Sequence, residues 1–205
     1  MLIRIHHITP DLRQLQKVID VLRDGGVIIY PTDGVYSFGC DINKSKAVER
    51  VAKLKGIKVE KADFSFVFDD LSRLTDYSKQ VDTHIFKLMK SCLPGPYTFI
   101  LNANNSVPKL FKNNKRTIGI RIPDNQICRS IVRELGNPII SSSVHDEDEI
   151  VEYTTDPELI HERYKDLVDL VIDGGYGSLL PSTVIDCTGQ MPELIRQGAG
   201  EVDLQ

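Results

Sequence analysis

The 205-residue chain contains no tryptophan and only four cysteines, which are far apart and include no Cys-x-x-Cys pair. That spacing argues against a zinc site or a thioredoxin-type redox site, so we predict buried, reduced thiols and no metal centre. No apolar run is long enough to cross a membrane, and the amino terminus lacks the pattern of a secretory signal peptide. We therefore expect a cytoplasmic protein without a membrane partner.

An excess of positive charge is also missing, since 25 Lys and Arg residues stand against 29 Asp and Glu residues and the net charge is −4. A protein that coats nucleic acid usually has a basic surface, so RNA packaging is not expected, although a local basic groove is compatible with this total. With 41% hydrophobic and 26% charged residues, the composition is that of an ordinary globular protein. No linker-like segment divides the chain, and we predict one domain over residues 1–205.

Segments with strand patterns and segments with helix patterns alternate along the chain. Strands are predicted at residues 2–5, 27–30, 64–68, 97–101, 117–122, 139–142, 170–172, 183–186 and 193–196. Helices are predicted to begin at Thr9, Ser45, Asp82, Asp124 and Asp156, with Thr9 and Asp124 as amino-terminal caps. The first helix has an apolar stripe of Leu12, Leu15, Ile19 and Leu22. This order predicts an α/β fold, a single-domain twisted open mixed sheet with flanking helices.

Small hydroxyls, an acid and an arginine lie at the ends of several predicted strands. Pro31-Thr32-Asp33-Gly34 follows a buried strand and is able to present a hydroxyl and backbone amides to a ligand, but the residue types alone favour a plain turn, because Pro, Asp and Gly are standard turn residues. Further along, strand alternation places Thr117, Gly119 and Arg121 on one face. A guanidinium there suits a carboxylate or a phosphate, or simply a surface acid. Open α/β sheets bind ligands at strand ends of this kind.

Three segments resemble the YrdC family, whose best-known members make threonylcarbamoyl-AMP for tRNA modification. Residues 27–41 are similar to its Pro-Thr-(Asp/Glu)-Thr-Val-Tyr-Gly-Leu-Gly signature, with Pro31, Thr32 and Asp33 in register. Residues 117–123 resemble its arginine-bearing strand, and residues 181–186 resemble its Pro-Ser-Thr-Val-(Val/Ile)-Asp strand. The resemblance covers residues 12–200 and implies the YrdC-like α/β twist fold.

The resemblance also implies roles for individual residues. It implies that Lys55 and Arg121 are catalytic. It assigns the substrate to Thr32, Gly34, Arg121, Ser141 and Ser182, and the nucleotide to Lys55, Thr117, Ser143 and Arg196. The implied small molecules are ATP with Mg²⁺, L-threonine and bicarbonate, and no prosthetic group is expected. A tRNA or another RNA is the implied macromolecular partner.

Several positions depart from the synthase pattern. The family Lys-Gly-Arg is Lys55-Gly56-Ile57 here, the second threonine of the signature is Gly34, and Ser-Ala-Asn is Ser143-Val144-His145. The family Asn-Pro-Leu matches residues 63–65, and a family histidine matches Phe68. These changes remove charged and hydrogen-bonding groups, so they weaken the expected contacts to phosphate. They resemble the YciO subgroup, which shares the Tyr-Thr-Phe-Ile-Leu stretch of residues 97–101.

Two stretches of the chain are basic: Lys53, Lys55, Lys58 and Lys61, and then Lys109, Lys112, Lys115 and Arg116. Such stretches are usually solvated, but both flank the predicted pocket in sequence and would attract ATP or a tRNA backbone. Three functions therefore stay open. The first is an ATP-dependent L-threonylcarbamoyladenylate synthase, and the second is a YciO-type nucleotide or double-stranded RNA-binding protein without synthase activity. The third is a protein–protein adaptor that kept the fold.

Overall fold

Ten strands form one mixed β-sheet in the computed structural model, which describes residues 1–111, 116–144 and 152–204. His145, Lys112 and Lys115, which the sequence analysis names, lie outside these residues. The strands are β1 (Leu2–Arg4), β2 (Ile28–Tyr30), β3 (Ser37–Gly39), β4 (Ser65–Val67), β5 (Tyr97–Asn102), β6 (Thr117–Arg121), β7 (Ile139–Ser143), β8 (Leu170–Asp173), β9 (Thr183–Asp186) and β10 (Glu193–Arg196). Their order across the sheet is β1-β8-β2-β3-β7-β4-β6-β5-β9-β10.

The sheet mixes parallel and antiparallel neighbours. The pairs β1/β8, β8/β2, β4/β6 and β5/β9 run parallel, and the remaining neighbours run antiparallel. The predicted single-domain α/β fold with a mixed sheet and flanking helices is confirmed. Strand β3 was not predicted, because Ser-Phe-Gly is too short to show an alternating apolar pattern. Its Gly39 is required by packing, since a Cβ there would lie 2.5 Å from Cε1 of Tyr30.

Five α-helices flank the sheet in the described ranges, together with short 3₁₀ turns. They are α1 (Leu12–Arg23), α2 (Ser45–Leu54), α3 (Thr83–Cys92), α4 (Gln126–Leu135) and α5 (Pro157–Tyr164). The 3₁₀ turns are Val59–Lys61, Leu74–Asp76, Lys109–Phe111 and Glu152–Thr155. Within the described chain, none of these helices has both the length and the apolar character that a membrane crossing needs.

The caps of α1 and α4 differ from the prediction by one or two residues. Asp11, not Thr9, caps α1, since its carboxylate accepts from the backbone N–H groups of the second and third helical residues. The Thr9 hydroxyl instead contacts Nδ1 of His6. In α4 the cap is Asn125, whose side chain accepts from the Cys128 N–H. Asp124 lies one residue before the cap position, and its own N–H donates to the Asp33 carboxylate.

Helices cover the two faces of the sheet unequally. One face carries the aromatic and branched residues that pack under α2, α3 and α5, including Ile29, Phe66, Phe99 and Ile120. The other face is covered by α1 and α4 over part of its width, where Ile28, Tyr30, Val67, Ile139 and Leu170 are buried. Beyond that cover the same face carries small polar side chains, and Ser65, Gly119 and Ser143 are at least partly exposed. An uncovered part of a sheet face is therefore left for a ligand.

Two leucines of α1 provide a matched test of this packing. Leu22 is completely buried beneath the helix, whereas Leu12, predicted on the same apolar stripe, is 71% exposed. We expect Leu22→Ala to lower the free energy of unfolding by about 2–5 kcal/mol, because a cavity is left in the core. The control Leu12→Ala should change it by less than about 0.5 kcal/mol. Urea unfolding measures both, and equal losses would contradict the placement of α1.

Candidate functional site

The uncovered part of the sheet face is lined by hydroxyl side chains from five adjacent strands. Ser65 of β4 lies opposite Ser141 of β7 on one side and Gly119 of β6 on the other. Ser37 of β3 lies opposite Ser143. We call this surface the hydroxyl floor and define it by Ser37, Ser65, Thr98, Thr117, Ser141 and Ser143. Ser65, Thr117 and Ser143 are at least partly exposed, whereas Ser37, Thr98 and Ser141 are buried beside them. The floor therefore offers hydrogen-bonding groups on a rigid support.

Gly119 lies at the centre of the hydroxyl floor and lets its neighbours approach one another. A Cβ on Gly119 would be 2.9 Å from Oγ of Ser65 and 3.3 Å from Cγ2 of Thr98. A side chain at this position would therefore displace the Ser65 and Thr98 side chains on the two neighbouring strands. The predicted alternation of Thr117, Gly119 and Arg121 is observed, because these residues are half-buried while Ile118 and Ile120 between them are buried.

A nearly buried ion pair borders the hydroxyl floor. Nη2 of Arg121 lies 3.1 Å from Oδ1 of Asp33, and the two side chains are only 11% and 8% exposed. The second carboxylate oxygen of Asp33 accepts the Asp124 N–H at 2.9 Å, just before α4. Asp33 therefore fixes the guanidinium and joins the turn after β2 to the start of α4.

One edge of the Arg121 guanidinium stays without a partner. Its Nε is buried and makes no hydrogen bond to any described residue. A buried cationic donor without a partner is costly, and it is the group that a ligand oxygen would satisfy. Asp33 thus fixes Arg121 through Nη2, while Nε is able to donate to a carboxylate or a phosphate of a ligand.

Thr32 and Gly34 shape the turn that carries Asp33. The Thr32 hydroxyl donates to the Val35 carbonyl at 2.9 Å and accepts the Gly34 N–H at 3.1 Å. Gly34 in turn accepts a hydrogen bond from the Ser178 N–H at 3.0 Å. A Cβ on Gly34 would lie 2.9 Å from the Leu180 carbonyl oxygen. The turn is therefore locked by its own hydroxyl and by the segment that leads into Ser182.

Ser182 and Arg196 lie beside Thr98, at the edge of the floor formed by β5. Oγ of Ser182 is 2.8 Å from Oγ1 of Thr98, so one of the two hydroxyls donates a hydrogen bond to the other. Arg196 donates to the Ser182 carbonyl from Nε at 3.2 Å and from Nη2 at 2.9 Å. Arg196 therefore holds the backbone that presents Ser182. The Asp186 carboxylate, further along β9, binds Thr188 and caps a local turn.

The predicted site residues do not all converge on one point. Thr32, Gly34, Arg121, Ser141 and Ser182 surround the Asp33–Arg121 pair and the adjoining floor. Thr117 is four residues from Arg121 along β6, about 13 Å away. Ser143 is exposed at the end of β7, and Lys55 follows α2, which packs on the opposite face. An elongated ligand would span this length better than a compact one.

Two of the departures from the synthase pattern lie outside the floor. Ile57 follows α2 in a loop and is 41% exposed, so an apolar side chain faces solvent there. Phe68, expected among the pocket changes, lies in the apolar core of the opposite face against Tyr77. That expectation was wrong, because strand alternation in β4 turns Phe66 and Phe68 away from Ser65.

Two residues of the floor are not predicted as site residues from the sequence. Ser65, a departure from the family pattern, lies between Ser141 and Gly119. Thr98, predicted only as part of a strand, has a hydroxyl that contacts Ser182. The available signal was a small polar residue alternating with apolar ones, at Ser65 beside Phe66 and Thr98 beside Phe99.

A matched pair of glycines tests the contact between the turn and the Leu180 segment. We expect Gly34→Ala to lower the free energy of unfolding by about 1–3 kcal/mol, because its Cβ meets a backbone oxygen that cannot rotate away. The control is Gly189→Ala, whose Cβ would have no neighbour closer than 3.8 Å. Chemical denaturation compares the two variants. Equal stability would show that the Leu180 carbonyl does not occupy this position.

Comparison with known proteins gives the family of this chain and two similar proteins. The family model Sua5_yciO_yrdC, described as telomere recombination, matches residues 20–198. The chain is 40% identical over 200 residues to YciO of Escherichia coli (strain K12), an uncharacterized protein, covering 97% of this chain and 95% of that one. It is 28% identical over 191 residues to the threonylcarbamoyl-AMP synthase of Vibrio vulnificus (strain YJ016), covering 90% and 98%.

The solved structure of E. coli YciO has the same fold. Its TM-score against this chain is 0.90 at 38% sequence identity, and the match covers 98% of this chain and 97% of that chain. The match of the family model and the shared fold agree over nearly the whole length. The chain therefore belongs to the Sua5/YciO/YrdC family.

Proposed function

We propose that this chain is an ATP-dependent L-threonylcarbamoyladenylate synthase. The observation that carries the proposal is the Arg121 guanidinium, which is held by Asp33 and keeps a buried, unpartnered Nε beside the hydroxyl floor. Such an arginine suits the carboxylate of an amino acid. The Vibrio vulnificus synthase, to which this chain is similar over most of its length, supports the same choice of reaction.

The proposed reaction joins three small molecules. The amine of L-threonine and bicarbonate give N-carboxythreonine and water. An oxygen of the new carboxylate then attacks the α-phosphorus of ATP, the bond to the β-phosphate oxygen breaks, and pyrophosphate leaves. No covalent enzyme intermediate is needed. The contribution of the protein is therefore positioning and charge stabilisation.

The roles follow from the geometry of the site. Arg121 and Ser182 hold the threonine near the Asp33 turn, and Ser141 supplies a further hydroxyl. Thr117 and Ser143 would bind the nucleotide along the remaining length of the floor, and the resemblance adds Arg196 beside Ser182 and Lys55 after α2. Mg²⁺ enters with ATP as part of the substrate. Both oxygens of the Asp33 carboxylate already accept hydrogen bonds, which fits a metal ion held through phosphates rather than through this acid.

The direct test is pyrophosphate release with ATP, Mg²⁺, bicarbonate and L-threonine, omitting each in turn, with the adenylate identified by mass. We expect product only when all four are present. Arg121→Ala should lower kcat/KM by about 100-fold, because one preorganised charge contact is lost. The control is Arg133→Ala, an exposed arginine of α4 that should keep the parent rate. Absence of product beside an active synthase would reject the proposal.

A second candidate function rests on the two basic stretches. The 3₁₀ turns Val59–Lys61 and Lys109–Phe111 pack against each other, and the rings of Phe64 and Phe111 meet edge to face at 6.5 Å. Lys61 and Lys109, far apart in sequence, are thereby brought to one exposed region. A local basic surface of this kind suits the phosphates of double-stranded RNA, even though the net charge is negative.

Salt dependence of binding distinguishes this second function. If the basic region contacts RNA, affinity for a short RNA duplex should fall steeply with added salt. The double variant K61E/K109E should reduce the slope of log affinity against log salt by about two, one for each phosphate contact. R13E/K17E on α1, which reverses two exposed cations on a helix of the other face, is the charge-matched control. No binding at low salt would remove the RNA function.

A further inference from the structure

Tyr30 places a phenol at the border between the helix-covered part of the sheet face and the hydroxyl floor. It is the last residue of β2, and its ring lies across Gly39 of β3, where a Cβ would be 2.5 Å from Cε1. The side chain is completely buried and belongs to the cluster that includes Val67, Ile139 and residues of α4. The glycine of β3 therefore makes room for a ring whose hydroxyl reaches toward β7.

The Tyr30 hydroxyl has no hydrogen-bond partner among the described residues, although it lies beside Ser141 and close to the charge of Arg121. Burial raises the pKa of Tyr30, so the phenol keeps its proton at neutral pH and acts as a donor. A buried donor without an acceptor makes the unliganded protein less stable than a phenylalanine of the same shape would. The hydroxyl is therefore short of a partner in this state.

The surroundings of Tyr30 contain more donors than acceptors. Nε of Arg121 is also buried without a partner in the described chain. The nearby acid offers no relief, because one oxygen of Asp33 accepts from Arg121 Nη2 and the other from the Asp124 N–H. Ser141, only 5% exposed, adds two lone pairs, one of which is able to accept from Tyr30, and one further proton. The Ser141 proton and Arg121 Nε are then left without an acceptor, and a bound carboxylate is one.

We propose that Tyr30 is a positioning residue of the site: when the amino-acid substrate binds, the Tyr30 hydroxyl donates to Ser141 Oγ, and Ser141 donates its own proton to a carboxylate oxygen of the substrate. Ser141 is suited to this part because a serine hydroxyl accepts and donates at the same time. Donation from Tyr30 strengthens the second hydrogen bond, since linked hydrogen bonds polarise one another. This inference rests on the proposed function and extends it to a residue that no ligand needs to touch.

Three variants test the relay: Y30F, S141A and the double variant. L-threonine binding is measured by calorimetry with and without MgATP, and stability by thermal unfolding without ligand. We expect Y30F to weaken L-threonine binding about fivefold, the loss of one neutral hydrogen bond. The Tm of unliganded Y30F should be unchanged or higher, because an unsatisfied donor is removed. The double variant should bind no more weakly than S141A alone, since Tyr30 acts through Ser141.

The control variant is Tyr77→Phe, which removes a phenol from a ring that packs on Phe66 and Phe68 at the opposite face. It should bind L-threonine like the parent. Losses that add up in the double variant would overturn the relay, because Tyr30 would then act independently of Ser141. Parent-like binding by Y30F, while Arg121→Ala no longer binds, would overturn the role of Tyr30 and leave the proposed function standing. A parent protein that does not bind L-threonine would overturn both.

Discussion

The ion pair between Asp33 and Arg121 is the interaction on which the geometry of the site depends. It connects the turn after β2, the end of β6 and, through the Asp124 N–H, the start of α4. A guanidinium that is 11% exposed needs a nearby negative charge, because water no longer solvates it fully. One carboxylate oxygen of Asp33 pairs with the guanidinium, and the other accepts the Asp124 N–H just before α4. The arginine is thereby fixed in place while its Nε is not used.

The sheet supplies the second constraint through its alternation. Each strand near the site turns large apolar residues toward α2, α3 and α5, and small polar residues toward the uncovered face. In β6 this gives Ile118 and Ile120 on one side and Thr117, Gly119 and Arg121 on the other. The same residues that secure the core therefore set the spacing of the hydroxyl floor. A ligand laid across the floor meets side chains whose backbones are held by ladder hydrogen bonds on both sides.

Sequence patterns were sufficient where a signal was local, and they failed where contacts came from elsewhere in the chain. The alternation in residues 117–121 located one face of β6 correctly, and the apolar periodicity located the helices. The caps at Thr9 and Asp124 were wrong, because a neighbouring Asp or Asn competed for the same backbone groups. Strand β3 and the relation of Tyr30 to Gly39 depend on pairing between distant segments. No local pattern contains that information.

The departures from the synthase pattern do not affect all parts of the candidate site equally. The part around Asp33 and Arg121 keeps its charge, and at Gly34 the Leu180 carbonyl lies where a Cβ would be. The segment after α2 is affected differently, because the resemblance expects a guanidinium where Ile57 is exposed to solvent outside the floor. One lost charge contact to phosphate is large on the scale of catalysis, since it enters the activation barrier directly. The Asp33–Arg121 pair therefore does not by itself distinguish a synthase from a nucleotide-binding protein, whereas a cation beside the phosphates does, because only the synthase has to stabilise the charge of a transition state.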